Sequence, residues 1–259
     1  MLSYGFRKAL IRLVVGAPVP RALDRVVRFY ARTRAGEGFG DVSINGELRF
    51  LRAHAPACRV IFDVGAQEGG WTEHALRVNP GAEVHCFEPM RASFQQLTQR
   101  EWAGRVVCNQ LGLSDREGEA EMHVASTSLH ERRLLLQPPS AEGPVETVRL
   151  TTLSAYCAAH GIEQIDLLKI DAEGHDLAVL RGGEAMVRAG RIRRIQFEYG
   201  PWNIYARVLL RDFYAFFHGL PYVIYQVTPR GMVPYPAYEQ HLENFHYKNF
   251  VALHRDVAD

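Results

Sequence analysis

One segment constrains the fold of this chain more than any other: a strand that runs into a glycine turn and then into a helix. Residues 60–72 read VIFDVGAQEGGWT. The first five are apolar apart from Asp63, as in a strand that is buried on both faces. Gly65 permits a turn that a side chain would obstruct, and Gly69 lets the helix begin close to the strand. The segment therefore predicts a ligand-binding turn at the carboxyl end of a strand in an open α/β sheet.

The rest of the chain repeats this alternation from about residue 58 onward. The predicted strands are Arg59–Val64, Glu83–Phe87, Val106–Leu111, Glu119–Val124, Ile165–Ile170, Arg194–Glu198, Tyr222–Val227 and Asn249–His254. The predicted helices are Thr72–Val78, Ala92–Arg100, Ser154–Ala159 and Asp176–Met186. Strands that alternate with helices favour an α/β fold with a mostly parallel sheet. The last two strands lack a clear helix between them, which predicts an antiparallel strand at one edge.

Composition limits the classes of function. The chain has 259 residues, enough for one large domain with an extension, and its formal net charge of +1 lacks the basic excess typical of nucleic-acid-binding domains. The four cysteines are far apart without metal-ligand spacing, which favours reduced thiols and a cytoplasmic location. We also expect no transmembrane helix and no signal peptide, because no sufficiently long apolar run occurs. A proline-rich stretch at 126–147 predicts a loop of the kind that covers sites.

The N-terminal residues differ from the remainder. Residues 1–35 carry one acid, Asp24, and eight basic residues: Arg7, Lys8, Arg12, Arg21, Arg25, Arg28, Arg32 and Arg34. Apolar residues at helical spacing predict two short amphipathic helices. These helices either pack on the main domain with a solvated charged face or attach to an anionic membrane surface or a partner. We predict an extension over residues 1–50 and one domain over residues 51–259.

A second acid follows the next predicted strand. Glu88 ends the segment VHCFE at positions 84–88 and lies 25 residues after Asp63 (88 − 63). A carboxylate at this place accepts both hydroxyls of a ribose in nucleotide-binding folds. The dinucleotide pattern G-x-G-x-x-G fails here because Gln67 replaces its second glycine. Acids at Asp63 and Glu68 suit the ammonium and sulfonium of S-adenosylmethionine (SAM) better than phosphates.

A second dense motif, IDLLKIDAEGHD at 165–176, again ends a strand in an acid. Asp171 faces the same cleft as Asp63 by the switch-point rule, and Glu173 and His175 follow it. A cluster of ionisable groups is costly to bury without partners. Helix capping would account for Asp171 alone but not for the cluster.

These motifs carry a resemblance to the FkbM-type SAM-dependent methyltransferases, from about residue 58 to the C-terminus. The matching segments are FDVGAQEGGWT at 62–72, CFEP at 86–89, LSD at 113–115, TTL at 151–153, KIDAEGHD at 169–176, LRG at 180–182 and NF at 249–250. The resemblance implies a Rossmann-like class I methyltransferase fold with a seven-stranded, mostly parallel sheet. It also implies O-methylation of a hydroxyl on a sugar, glycan, glycolipid or natural-product scaffold.

The resemblance also implies roles for individual residues. A SAM site would be lined by Asp63, Gly65, Ala66, Gln67, Gly69 and Glu88, with Asp171 near the methyl group. The acceptor hydroxyl needs a base, for which we prefer Asp171 with His175 as the alternative. Glu173 and Glu198 are expected to contact the substrate. A divalent metal is not expected, although nearby carboxylates could supply oxygen ligands.

Two other functions compete with this hypothesis. One is a nicotinamide-dependent oxidoreductase, which Gln67 disfavours. The other is a non-catalytic adaptor that binds SAM. Ligand-induced thermal shifts with SAM and NAD separate the oxidoreductase from the rest, and only turnover separates an enzyme from an adaptor.

Overall fold

Eleven strands form two sheets in the part of the chain that the computed structural model describes, namely residues 4–6, 8, 11–12, 21–38, 40–123 and 145–257. The strands are β1 (Val60–Val64), β2 (Glu83–Phe87), β3 (Arg105–Asn109), β4 (Gly112–Ser114), β5 (Gly118–His123), β6 (Val145–Thr152), β7 (Leu167–Ile170), β8 (Arg194–Tyr199), β9 (Tyr222–Thr228), β10 (Gly231–Pro234) and β11 (Lys248–His254).

The larger sheet has the strand order β10-β9-β11-β8-β7-β1-β2-β3. Strands β3, β2, β1, β7 and β8 run parallel, and β11 is antiparallel to both of its neighbours. The predicted α/β fold with a mostly parallel sheet is confirmed. Two details differ from the expected seven strands with an antiparallel edge. Strand β11 lies inside the sheet, where all its residues are buried, and the β9–β10 hairpin adds an eighth strand at the edge.

The smaller sheet has the order β4-β6-β5. Its strand β6 starts at Val145, within the stretch 126–147 for which we predicted a loop. An extended segment fits here because β6 pairs with β5 over residues 145–150 and with β4 over residues 150–152. The remainder of that predicted loop lies outside the described residues. The strand predicted over 119–124 corresponds to β5.

Nine helices surround the sheets in the described residues. They are α1 (Arg21–Ala35), α2 (Glu47–His54), α3 (Gly70–Val78), α4 (Arg91–Gln99), α5 (Leu153–His160), α6 (Asp176–Gly182), α7 (Glu184–Arg188), α8 (Trp202–Ala206) and α9 (Leu210–Phe217). The helix predicted over 176–186 is thus two helices. A Cβ at Gly182 would lie 2.0 Å from the carbonyl oxygen of Ser114, so only glycine allows this close approach at the break.

Two apolar cores cover the two faces of the large sheet, because successive strand residues point to opposite faces. Phe62, Leu168 and Phe197 belong to one core, and Ile61, Leu167 and Val251 to the other. At the carboxyl ends of the strands, polar side chains replace the apolar ones on this second face. The sheet therefore ends in a polar edge, which is where the candidate site lies.

Two N-terminal helices differ in burial. Helix α2 crosses position 50, and its residues Glu47, Phe50 and Leu51 are buried against the domain. Helix α1 has no buried residue, so it does not pack a face on the domain. Most of the first helix predicted within residues 1–35 lies outside the described residues. The described residues of that segment, namely 4–6, 8 and 11–12, are helical. No described helix has the length and hydropathy needed to cross a membrane.

Candidate active site

The site lies where the strand order reverses, between β1 and β7. The turns that follow these strands touch: a Cβ at Gly65 would lie 2.0 Å from the carbonyl oxygen of Asp171. Gly65 also has a φ of 75°, a left-handed conformation that favours glycine. Its N–H donates to the carbonyl oxygen of Phe87 at 2.9 Å, and that of Ala66 donates to the same oxygen at 3.0 Å. The first glycine turn is therefore held against the ends of both β2 and β7.

Glu88 lies directly after β2, beside the turn that follows β1. Its Oε2 accepts a hydrogen bond from the backbone N–H of Gln67 at 2.9 Å, and its Oε1 accepts one from Met90 at 2.8 Å. Burial raises the pKa of Glu88 against the effect of these two bonds. Each carboxylate oxygen can accept further hydrogen bonds, so the group fits a pair of hydroxyls.

Two residues other than glycine adopt left-handed backbone conformations in the turns of the site. Gln67 follows β1 with a φ of 50°, and Glu173 follows β7 with the same value. Such conformations carry strain and cluster at ligand-binding sites. The negative charge of Glu173 also contributes to the raised pKa of both Glu88 and Glu198.

Asp63 is fully enclosed and does not face the cleft. Its Oδ2 accepts a hydrogen bond from the Thr72 hydroxyl at 2.7 Å, and its Oδ1 lies 3.0 Å from Nζ of Lys169. The side chain of Asp63 is 0% exposed. Its charge is therefore compensated inside the protein, so it supports the turn from beneath.

Lys169 joins the two turns, and sequence reasoning missed this role. Its Nζ lies 3.0 Å from Asp63, 3.4 Å from Asp171 and 3.5 Å from the carbonyl oxygen of Gly65. Burial alone would lower the pKa of Lys169, but the carboxylates of Asp63, Asp171 and Glu47 raise it. The lysine therefore stays charged although its side chain is only 5% exposed.

Asp171 and Glu198 form a pair of carboxyl groups across the ends of β7 and β8. Burial raises the pKa of Glu198 well above its usual value, and the charge of Asp171 and the hydrogen bond between the two groups raise it further. Two close carboxyl groups ionise together only at high cost, so one keeps a proton. Glu198 is the more buried member, whereas the side chain of Asp171 is 28% exposed. Glu198 thus donates and Asp171 accepts.

Asp176 lies behind this pair at the start of α6. Its Oδ1 accepts a hydrogen bond from the backbone N–H of Glu198 at 3.1 Å. Burial, and then the charge of Asp171, raises the pKa of Asp176 to about 7. The residue therefore carries little charge below neutral pH and anchors the end of β8.

His175 is engaged elsewhere. Its Nε2 lies 2.9 Å from the hydroxyl oxygen of Ser114, at the end of β4. Loss of solvent around the packed side of the ring lowers the pKa of His175. The imidazole is consequently neutral near pH 7 and is held toward the small sheet.

A buried network from the N-terminal segment completes the site. Glu47 of α2 accepts hydrogen bonds from Asn45 at 2.5 Å, Gln196 at 2.6 Å and Asn249 at 3.1 Å. Burial raises the pKa of Glu47. The network ties α2 to β8 and β11 beside Lys169. Sequence reasoning assigned residues up to 50 to an extension and gave them no part in the site.

Ligation of a metal was not expected from the sequence. Within the described residues, no group of three or more His, Cys, Asp or Glu side chains is arranged to hold a metal ion.

Comparison with known proteins places these features in a family. A profile described as the methyltransferase FkbM domain matches residues 63–224. The match begins at Asp63 and includes Glu88, Lys169, Asp171 and Glu198. It therefore covers both turns of the site and the carboxyl pair.

Three curated proteins share part of this sequence. The 2-O-methyltransferase NoeI of Sinorhizobium fredii is 27% identical over 161 residues, which cover 56% of this chain and 65% of that protein. The hexuronic acid methyltransferase AglP of Haloferax volcanii is 28% identical, over 52% of this chain and 54% of its own length. The 31-O-demethyl-FK506 methyltransferase FkbM of Streptomyces tacrolimicus is 31% identical, over 48% and 59%. The chain thus spans less than two thirds of each relative.

Proposed function

Because the chain belongs to the FkbM methyltransferase family, we propose that it transfers a methyl group from SAM to a hydroxyl of a sugar, a glycan or a natural-product scaffold. The observation that carries this proposal is that a buried carboxylate beside the turn after β1 lies at the same edge of the sheet as a carboxyl pair at the ends of β7 and β8. In this proposal Glu88 binds the ribose, and Asp171 with Glu198 binds the acceptor.

The cofactor half of the proposal depends on Glu88 and the turn after β1. Glu88 would accept the two ribose hydroxyls, while Gly65, Ala66, Gln67 and Gly69 shape the cradle around the amino-acid end. Gly69 has a φ of 83°, and a Cβ there would lie 2.4 Å from the Trp102 ring, so the cradle needs glycine. When bound, SAM supplies an electrophilic methyl group on a sulfonium.

Asp63 has a supporting role in this proposal. Since its carboxylate is enclosed by Thr72 and Lys169, it positions the turn rather than contacting the ammonium. A dinucleotide remains disfavoured as a ligand. Its pyrophosphate needs glycine and N–H groups at the places where this turn has Gln67 and the acids Asp63 and Glu68.

The acceptor half depends on Asp171, which is partly exposed and lies 3.4 Å from Nζ of Lys169. Asp171 would accept a hydrogen bond from the acceptor hydroxyl and take its proton as the oxygen reacts. Glu198 already carries a proton, so the pair has room for one more on Asp171. Fixing the hydroxyl oxygen in line with the methyl group supplies several kcal/mol of rate enhancement, at a separation of roughly 3 Å. Glu173 and Glu198 then contact the acceptor's neighbouring hydroxyls, and His175 is the alternative base.

The names of the relatives support a proposal for the class of acceptor. Two are named as O-methyltransferases, and the third is named for a hexuronic acid. Carboxylates that accept hydrogen bonds suit a polyhydroxylated acceptor. We propose a hydroxyl-bearing glycan or similar molecule, and no nucleic acid. We also propose a cytoplasmic location at the inner face of a membrane, with the catalytic domain extended to begin before α2.

Asp171→Asn tests the proposal. The variant should bind SAM with unchanged affinity in calorimetry but lose about a hundredfold or more in methyl transfer, the usual contribution of a general base. The transfer is followed as a gain of one CH₂ by mass spectrometry of glycan mixtures. His175→Asn is the matched comparison. Near-normal turnover in Asp171→Asn together with loss in His175→Asn would assign the base to His175, and binding without turnover in the unmodified protein would indicate an adaptor.

A further inference from the structure

We infer that helix α1 docks the protein on an anionic phospholipid bilayer, and that it does so in an orientation that turns the candidate active site toward the lipid headgroups. This inference concerns the surface and geometry of α1 and holds whether or not the proposed chemistry is correct.

The surface of α1 separates its apolar stripe from four of its five arginines, and the fifth, Arg34, hydrogen-bonds the Tyr30 hydroxyl at the end of the stripe. Leu23, Val26, Val27 and Tyr30 fall at the i, i+3, i+4 and i+7 positions, with exposed fractions of 52%, 61%, 55% and 58%. Arginines repeat on the other side of the helix, at positions 21, 25, 28 and 32. An apolar stripe flanked by arginines is the pattern of a helix that lies in a membrane interface.

The end of α1 is fixed to the domain. The carbonyl oxygen of Ala35 accepts a hydrogen bond from the Gln226 side chain at 2.7 Å, and Gly38 N–H donates to the carbonyl oxygen of Tyr247 at 2.8 Å. Between them, Glu37 pairs with the buried Lys248 at 3.0 Å. We call these three contacts the clamp. These contacts fix the direction in which α1 leaves the domain.

The clamp lies at the edge of the sheet that holds the site. Lys248 and Asn249 begin β11, and they pair with Tyr199 and Glu198 at the end of β8. Glu198 is the residue that hydrogen-bonds Asp171. A surface bound by α1 is therefore next to the carboxyl edge of the sheet, while the amino edge faces away from it.

Charge decides which partner fits. Helix α1 carries five arginines and one acid, Asp24. A second copy would bring the same positive surface against it, which is repulsive. An anionic bilayer attracts each basic residue by about 1 kcal/mol and accepts the apolar stripe. The bilayer is thus the occupant that satisfies both faces of the helix.

Co-sedimentation of the full chain with vesicles tests the docking. The protein should bind phosphatidylcholine vesicles that contain phosphatidylglycerol and should not bind phosphatidylcholine alone. Arg21→Glu/Arg25→Glu should weaken binding by at least roughly thirtyfold. Arg59→Glu/Arg191→Glu is the matched control, because it reverses two exposed arginines at the amino edge. Equal binding to both kinds of vesicle, or an equal loss in the control, would overturn the inference. A dimer that only Arg21→Glu/Arg25→Glu dissociates would assign the surface to a second copy.

A polarity-sensitive dye tests the orientation. Ile44 is 54% exposed and directly precedes Asn45 of the Glu47 network, whereas Arg59 is exposed at the amino edge. In a Cys108→Ser background, a dye at Ile44→Cys should shift to the blue on anionic vesicles, and a dye at Arg59→Cys should not. Equal shifts, or a shift at Arg59 alone, would contradict the orientation. Neither measurement needs SAM or an acceptor, so its failure would leave the proposed methyl transfer untouched and would remove only the proposed membrane location.

Discussion

Lys169→Met removes the buried charge that holds the two turns of the site together. Without the ammonium group, the fully buried Asp63 carboxylate loses a partner at 3.0 Å, and the Asp171 carboxylate loses one at 3.4 Å. Breaking a buried ion pair from one side costs about 3–5 kcal/mol, because the remaining charge is left uncompensated. For 259 residues, the usual unfolding entropy converts this into a fall in Tm of roughly 6–9 °C. Methionine keeps the length of the side chain, so little of the loss comes from packing.

Scanning calorimetry of four proteins measures this coupling: the unmodified chain, Lys169→Met, Asp63→Asn and the double variant. The double variant removes the orphaned charge and should therefore be more stable than the sum of the two single losses predicts. A fall in Tm below about 2 °C for Lys169→Met, or strictly additive losses, would refute the ion-pair reasoning.

The remaining predictions concern pH, backbone space and the carboxyl pair. The pKa of Asp176 is raised to about 7 in the native state, so the native protein keeps a proton that the unfolded chain loses above about pH 4. The contribution of this protonated group to the free energy of unfolding therefore falls as the pH rises from 4 through 7. Asp176→Asn should flatten the dependence of Tm on pH in this range. Above pH 7 the variant should be more stable than the unmodified chain by a difference that approaches about 4 kcal/mol. An unchanged slope would exclude Asp176 as the titrating group. Gly65→Ala should lower both Tm and SAM affinity, measured by calorimetry, because its Cβ would lie 2.0 Å from a backbone oxygen; unchanged values of both would show that the turn relaxes freely.

The strands and the ligand-binding turn could be predicted from the sequence because they depend on local patterns. Strand β1 is a short apolar run with Asp63 next to its last residue, and Glu88 directly follows β2, so the places of both acids follow from hydrophobicity and turn residues. The position of β11 could not be predicted in this way. Whether a final strand lies at the edge or between two others depends on pairings with β8 and β9, to which the alternation pattern is insensitive.

The electrostatics of the site were also beyond a local reading. Lys169 lies in the apolar run of β7, and its partners Asp63 and Glu47 are 106 and 122 positions away (169 − 63 and 169 − 47). The hydrogen bonds of Glu47 to Gln196 and Asn249 join residues that are 149 and 202 positions apart. Asp63 was expected to face the cofactor because its residue type and strand position fit that role, but its enclosure depends on Thr72 and Lys169 together.

Titration calorimetry with SAM, on the unmodified chain and Glu88→Ala, tests the central claim most directly. The unmodified chain should bind SAM at one site. Glu88→Ala should bind at least about tenfold more weakly, because hydrogen bonds to a charged group contribute about 1.5–3 kcal/mol each. Glu184→Ala, at a half-exposed position of α7 where the carboxylate pairs with Arg188, should match the unmodified chain. No binding of SAM to the unmodified chain, or equal affinity in Glu88→Ala, would contradict the assignment of this cleft as a SAM site.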